Sequence, residues 1–178
     1  MVEHLAHVAR PMLRRGSELL ATTALLTALG MACAQAQLVV DVDWTEGDVP
    51  PPPAFSYEQL IPFEVNRQTN LQYGVDPASL SITPTGIVRY VVVAQSSGAR
   101  NVLYEGFRCS TAQVRTYARQ SSDGVWISVA NSTWRGTADP LPSRHAFFLA
   151  RSALCAGAAP AQTTADIVRS LRGTNRER

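Results

Sequence analysis

Beyond residue 36 the chain has one histidine, His145, two cysteines, Cys109 and Cys155, and no lysine. A serine or cysteine nucleophile needs a base beside it, and His145 is the single imidazole available for that role. It falls among Arg144, Arg151 and Ser152 on the polar arc of a helical stretch. Neighbouring arginines would lower its basicity, so it reads as a surface or helix-capping residue. A zinc site lacks ligands, and a calcium loop lacks its acidic spacing. There is no glycine-rich phosphate loop and no dinucleotide fingerprint. No metal and no cofactor is therefore expected. Glu46, Glu58, Glu64 and Glu105 leave hydrolysis by paired carboxylates open by count, but nothing in their spacing joins two of them.

Glu105 is the acid with the most consequence, because it interrupts an apolar strand. A carboxylate there must be solvated, protonated or paired. If the hairpin sets Val91 opposite Glu105, Arg89 becomes a diagonal neighbour on the same face, and Arg108 points to the other. The reading is a structural Arg89–Glu105 pair, with a ligand-binding or acid–base role as the alternative. Trp44, Trp126 and Trp134 form a candidate aromatic surface, against the alternative that they are core or rim.

The elements that must position these groups begin with a β-rich centre. Residues 87–95 (IVRYVVVAQ), 101–109 (NVLYEGFRC), 114–121 and 125–130 read as consecutive strands, preceded by residues 79–83. Pro84-Thr85-Gly86, Ser96-Ser97-Gly98-Ala99 and Ser122-Asp123-Gly124 supply short turns, so neighbours are antiparallel. The fold class is α+β: an antiparallel meander of about five strands packed with one or two C-terminal helices. Residues 87–95 are apolar on both alternating sets and need cover on both faces. A helix supplies one layer, and the N-terminal arm is the candidate for the other.

Residues 37–78 read as an extended, acidic, proline-rich arm. Pro50 to Pro53 enforce polyproline II and remove backbone donors, which suits a stiff surface connector. Residues 57–62 read as a helical turn or irregular segment, and residues 66–78 as polar and turn-rich. Ser143 is a plausible N-cap for an amphipathic helix ending near Cys155. Thr163 and Asp166 make a capping box for a second helix, with Gly173 as its stop and a disordered tail over residues 173–178.

Arg10, Arg14 and Arg15, an apolar run over residues 19–32, and Ala34-Gln35-Ala36 have the order of a secretory signal peptide over residues 1–36. Cys33 offers a lipid-anchored alternative. The remaining chain, about 140 residues, forms a single domain over residues 37–172. An even number of cysteines in an exported chain favours a Cys109–Cys155 disulfide. The net charge of +2 hides an asymmetry: residues 41–64 carry Asp41, Asp43, Glu46, Asp48, Glu58 and Glu64 and no base, and arginine dominates from Arg89 onward. The simplest account lays the acidic segment across the arginine-bearing part of its own domain. Dispersed arginines and the absence of a recognised module argue against nucleic acid as a partner.

The stretch from Gly86 to Trp126 resembles the cryptic neisserial protein family of exported bacterial proteins. The resemblance rests on Tyr104-Glu105-Gly106-Phe107-Arg108-Cys109. It is supported by Asp43-Trp44 with Glu46, Gly86 to Tyr90, Ser97-Gly98-Ala99, Tyr117-Ala118, Asp123-Gly124 with Trp126, Trp134, Ser143 to His145, Cys155, and Asp166 to Arg169. It implies a single exported domain and brings no catalytic residues. The expected function is that of a periplasmic or secreted, non-enzymatic binding or envelope-associated module. Its partner would be an envelope protein or a small ligand, with no transmembrane span after cleavage. The alternative is a small carboxylate-dependent hydrolase.

Overall fold

The computed structural model describes residues 44–65 and 70–176. The signal-peptide stretch and Cys33 lie outside the described residues. In chain order the strands are β1 (Ile61–Phe63), β2 (Gln72–Val75), β3 (Ser81–Ile82), β4 (Ile87–Gln95), β5 (Arg100–Arg108), β6 (Gln113–Gln120), β7 (Trp126–Ser128) and β8 (Arg135–Gly136). They make one antiparallel sheet in the order β1-β2-β4-β5-β6-β7, with β3 also on β4 and β8 also on β6. Two further short strands, β9 (Cys155–Ala156) and β10 (Ala159–Pro160), pair with each other. Helix α1 (His145–Leu149) continues as a wider π turn over Ala150–Leu154, and α2 spans Thr164–Arg176. The architecture is α+β, with more strands than five.

Valine and isoleucine dominate β4, and such β-branched chains fit a pleated surface. Every residue from Ile87 to Val93 is buried. One face packs Val88, Tyr90, Val92, Phe107 and Val114 against Ala146, Leu149, Leu154, Ile167 and Leu171 of the helices. The opposite face packs Val91, Val93, Val102, Tyr104, Tyr117 and Ala118 against Val49, Phe55 and Leu60 of the arm. Both covers are therefore present, helices on one side and arm on the other.

The arm is more than a strap. Its second half folds into β1 and β2, which extend the sheet beyond β4. Residues 72–75 lack a clean alternation of their own, and strand geometry there comes from pairing with β4, a tertiary contribution. Residues 57–62 divide into a short 3₁₀ turn (Tyr57–Gln59) and the start of β1.

The helix starts follow local chemistry. Thr163 Oγ1 accepts the Asp166 N–H at 3.1 Å, and Asp166 Oδ2 accepts the Thr163 N–H at 3.1 Å. The first helix is capped one residue later than expected, at Arg144 and without a side-chain bond, while Ser143 Oγ accepts the His145 N–H at 3.2 Å. The expected stop at Gly173 does not occur. A glycine stop needs a left-handed backbone, seen at Gly47, Gly86, Gly124 and Gly157, whereas Gly173 lies inside α2. Residues 173–176 are consequently helical, and residues 177–178 lie outside the described residues. No helix among the described residues is long and apolar enough to cross a membrane.

Cys109 and Cys155 are bonded, with α-carbons 5.7 Å apart, tying the end of β5 to the end of the π turn. Closing a loop of 46 residues removes entropy from the unfolded chain. Cys155→Ala should lower stability by roughly 2–4 kcal/mol in urea unfolding. Labelling the unfolded, unreduced wild-type domain should reveal no free thiol at either position.

Candidate functional site

Glu105 lies in the middle of the sheet, directly opposite Tyr90 on one neighbouring strand and Thr116 on the other. Both hydroxyls reach it: Tyr90 donates to Oε2 at 3.1 Å and Thr116 to Oε1 at 3.0 Å. The third partner descends from the helical layer. His145, the first residue of α1, places Nε2 2.8 Å from Glu105 Oε2. The two side chains are 11% and 2% exposed, so this is a buried carboxylate–imidazole pair.

Burial alone would push the Glu105 carboxyl up, but the His145 charge and the three hydrogen bonds outweigh it, and its pKa is lowered. Burial would likewise lower His145, but the Glu105 charge and hydrogen bond prevail and raise it. The contact thus favours the imidazolium and carboxylate forms of the two groups. Burial and the adjacent Glu105 charge push Tyr90 far up, keeping it a neutral donor.

Tyr73 of β2 stacks on the His145 ring, with centroids 5.8 Å apart and planes at 13°. Its hydroxyl lies 3.0 Å from Ser143 Oγ. Ser143 is therefore engaged by Tyr73 and by the His145 backbone, while the imidazole faces Glu105. Over the pair opens a cavity of about 250 Å³. Glu105, Thr116, His145 and Ser143 contribute polar groups to it, Leu71, Leu103, Val114 and Leu141 apolar walls, and Asn101 and Arg119 exposed polar side chains.

The expected Arg89–Glu105 pair does not form. The β4–β5 loop has four residues, which sets Gln95 against Arg100 and Tyr90, not Val91, against Glu105. A shift of one residue turns a side chain to the other face. Arg89 therefore lies across from Gly106 and faces the arm. There Glu46 receives Arg89 at 3.4 Å and Arg115 at 2.8 Å, together with the Tyr117 hydroxyl. Arg89 also donates to the Asp48 carbonyl at 3.1 Å. The acidic arm lies on the arginines of its own domain.

Arg108 shares this face, its guanidinium 3.8 Å from the Trp44 ring centre. Trp44 meets Trp134 edge to face at 5.7 Å. Trp126 is separate, packed on Phe55 at 6.1 Å, so the three tryptophans do not form one surface. A hollow of about 400 Å³ lies between Pro50, Pro51, Pro52 and Tyr104. The charged group lining it, Arg115, is already matched by Glu46. Among the described residues no cluster of three or more His, Cys, Asp or Glu could hold a metal.

A family model described as the CNP1-like family matches residues 40–172. The chain belongs to the CNP1-like family. No curated protein and no solved structure matches it. In this CNP1-like chain every residue of the YEGFRC block has a distinct task. Tyr104 packs on Tyr117 at 5.2 Å under the arm, and Glu105 holds His145. Phe107 joins the helical core, Arg108 carries Trp44, and Cys109 holds Cys155. Gly106 gives clearance: a β-carbon there would stand 2.0 Å from the Tyr117 hydroxyl on its way to Glu46.

The surface or capping role expected for His145 is corrected by its burial. A helical wheel ranks it by polarity alone and cannot see a carboxylate in the layer below. Tyr73, Tyr90 and Thr116 were not identified from the sequence. The available signal is that Glu105 requires a partner and the chain beyond residue 36 holds one imidazole.

Two outcomes test this arrangement. Gly106→Ala should destabilise the domain by roughly 1–3 kcal/mol by displacing Tyr117. In a Tyr117→Leu background the same change should cost far less, as urea titrations of the four proteins would measure. The His145 contribution is complete below its unfolded pKa of about 6.5 and is lost as pH rises through the raised folded value. The Glu105 contribution is complete above about 4.3 and is lost as pH falls through its lowered value. The pair should therefore stabilise most between about pH 4.5 and 6.5. His145→Gln should cost roughly 3 kcal/mol at pH 6 and remove the loss of stability expected as pH rises through the raised His145 pKa.

Proposed function

We propose that this chain is an exported, non-enzymatic binding module of the bacterial envelope, with its ligand site in the cavity over His145 and Glu105. The carrying observation is that cavity: about 250 Å³, walled by leucines, with a charge pair inside and polar side chains at its exposed edge. This mixture of apolar wall and few polar groups suits a small ligand. The signal-peptide pattern and the Cys109–Cys155 bond support an oxidising compartment outside the cytoplasm.

Hydrolysis by two carboxylates has less support. It needs both acids on one bond, roughly 5–10 Å apart. Glu105 is the one carboxylate lining the cavity, and buried Glu46 lies on the other face of the sheet.

Protein-observed NMR with a library of small fragments tests the binding role. Hits should perturb Leu103, Leu141 and His145 together, and Leu103→Trp should abolish the perturbation while the domain stays folded. Perturbations elsewhere, or unchanged in Leu103→Trp, would remove this site from consideration. N-terminal sequencing of envelope-fraction protein should start near Gln37; full-length protein confined to the cytoplasm would end the export reading.

A further inference from the structure

The cavity has a charge balance that can be read from its lining. Glu105 is matched internally by His145 and two hydroxyls, so the buried pair is close to neutral. His145 retains a second ring nitrogen, Nδ1, that has no hydrogen-bond partner among the described residues. The remaining charge is Arg119, exposed and without an ion pair among the described residues.

Arg119 reaches this cavity because of an irregularity in the sheet. Between β5 and β6 the register shifts: Glu105 pairs with Thr116, but Tyr104 pairs with Ala118, leaving Tyr117 as the extra residue. The bulge turns Tyr117 and Ala118 together toward the arm. It thereby moves Arg119, opposite Leu103, onto the helical face and into the cavity lining. Bulges re-aim side chains in this way. With regular alternation, Arg119 would follow Arg115 and Tyr117 onto the arm side.

A guanidinium presents a planar fork of donors that fits a carboxylate. One such group beside an otherwise neutral pair calls for a single negative charge. The leucine walls call for an apolar body, and the volume sits below the usual ~300–1,000 Å³ of ligand sites. We infer that the cavity takes a small organic monocarboxylate with an apolar body, its carboxylate on Arg119 and its body along Leu103 and Leu141, with His145 donating to an oxygen at the inner end. This rests on the binding role proposed above and names its ligand class.

Three probes of similar size separate the contributions: hexanoate, 5-oxohexanoate and hexanamide, titrated by NMR against the intact domain at low ionic strength. Hexanoate should bind about tenfold more tightly than hexanamide, the margin expected of one charged hydrogen-bonded contact. The oxo acid should bind more tightly still. Arg119→Gln, an exposed change that removes no contact of the Glu105–His145 pair, should erase the advantage of hexanoate over hexanamide. Added salt should shrink that advantage in the wild type. Equal binding of hexanoate and hexanamide, or a preference that survives Arg119→Gln, overturns the carboxylate assignment. If hexanamide still binds in a Leu103→Trp-sensitive manner, the cavity remains a ligand site of another class. If no probe binds but library fragments do, the ligand class is wrong and the binding role stands. If neither binds, both fail.

Discussion

On each face of the central sheet a carboxylate joins the sheet to the layer that covers it. Glu105 draws His145 down from the helical layer, and Glu46 enters from the arm to join Arg89, Arg115 and Tyr117. An unmatched buried charge costs several kcal/mol, so neither layer can shift far without exposing that cost. A buried ion pair adds little net stability relative to a well-packed apolar substitute. Its effect here is on position: the two pairs determine where the helix and the arm lie on an otherwise apolar sheet.

The YEGFRC block couples these layers because adjacent residues of a strand face opposite ways. Glu105 works upward into the helices and Gly106 downward, where its missing side chain lets Tyr117 cross to Glu46. Two residues further, Arg108 carries Trp44 and Cys109 begins the bond to Cys155. The strand is then restrained by the arm on one face and by the helix, through charge and disulfide, on the other. A mismatch at any of these positions would be felt in both layers.

The cavity follows from the same restraints. Helix α1 starts with His145 over Glu105, so its first turn stands above the sheet beside Leu103 and Leu141. Tyr73 closes one wall by stacking on the imidazole, and the bulge at Tyr117 turns Arg119 into the lining. The polar groups of the cavity thus come from β2, β5, β6 and the start of α1, elements far apart in sequence. Their convergence belongs to the packed domain and to none of its segments.

Local sequence is enough to specify the strands around Gly86, the turns between them, the start of α2 and the cysteine pair. These rest on local chemistry: β-branched residues, glycine at left-handed turns, a Thr–Asp capping box, and an even count of thiols. It also carried the attraction between an acidic arm and an arginine-bearing sheet, because charge composition is legible without coordinates. Which charge meets which is a property of the packed fold. Side-chain facing has a period of two, so the difference between a four-residue and a five-residue loop moved Arg89 away from Glu105 and onto Glu46. The burial of His145, the strand at Gln72–Val75 and the inward turn of Arg119 share that origin. Each depends on a neighbour from another part of the chain, a carboxylate, a strand edge or a bulge, that local periodicity does not contain.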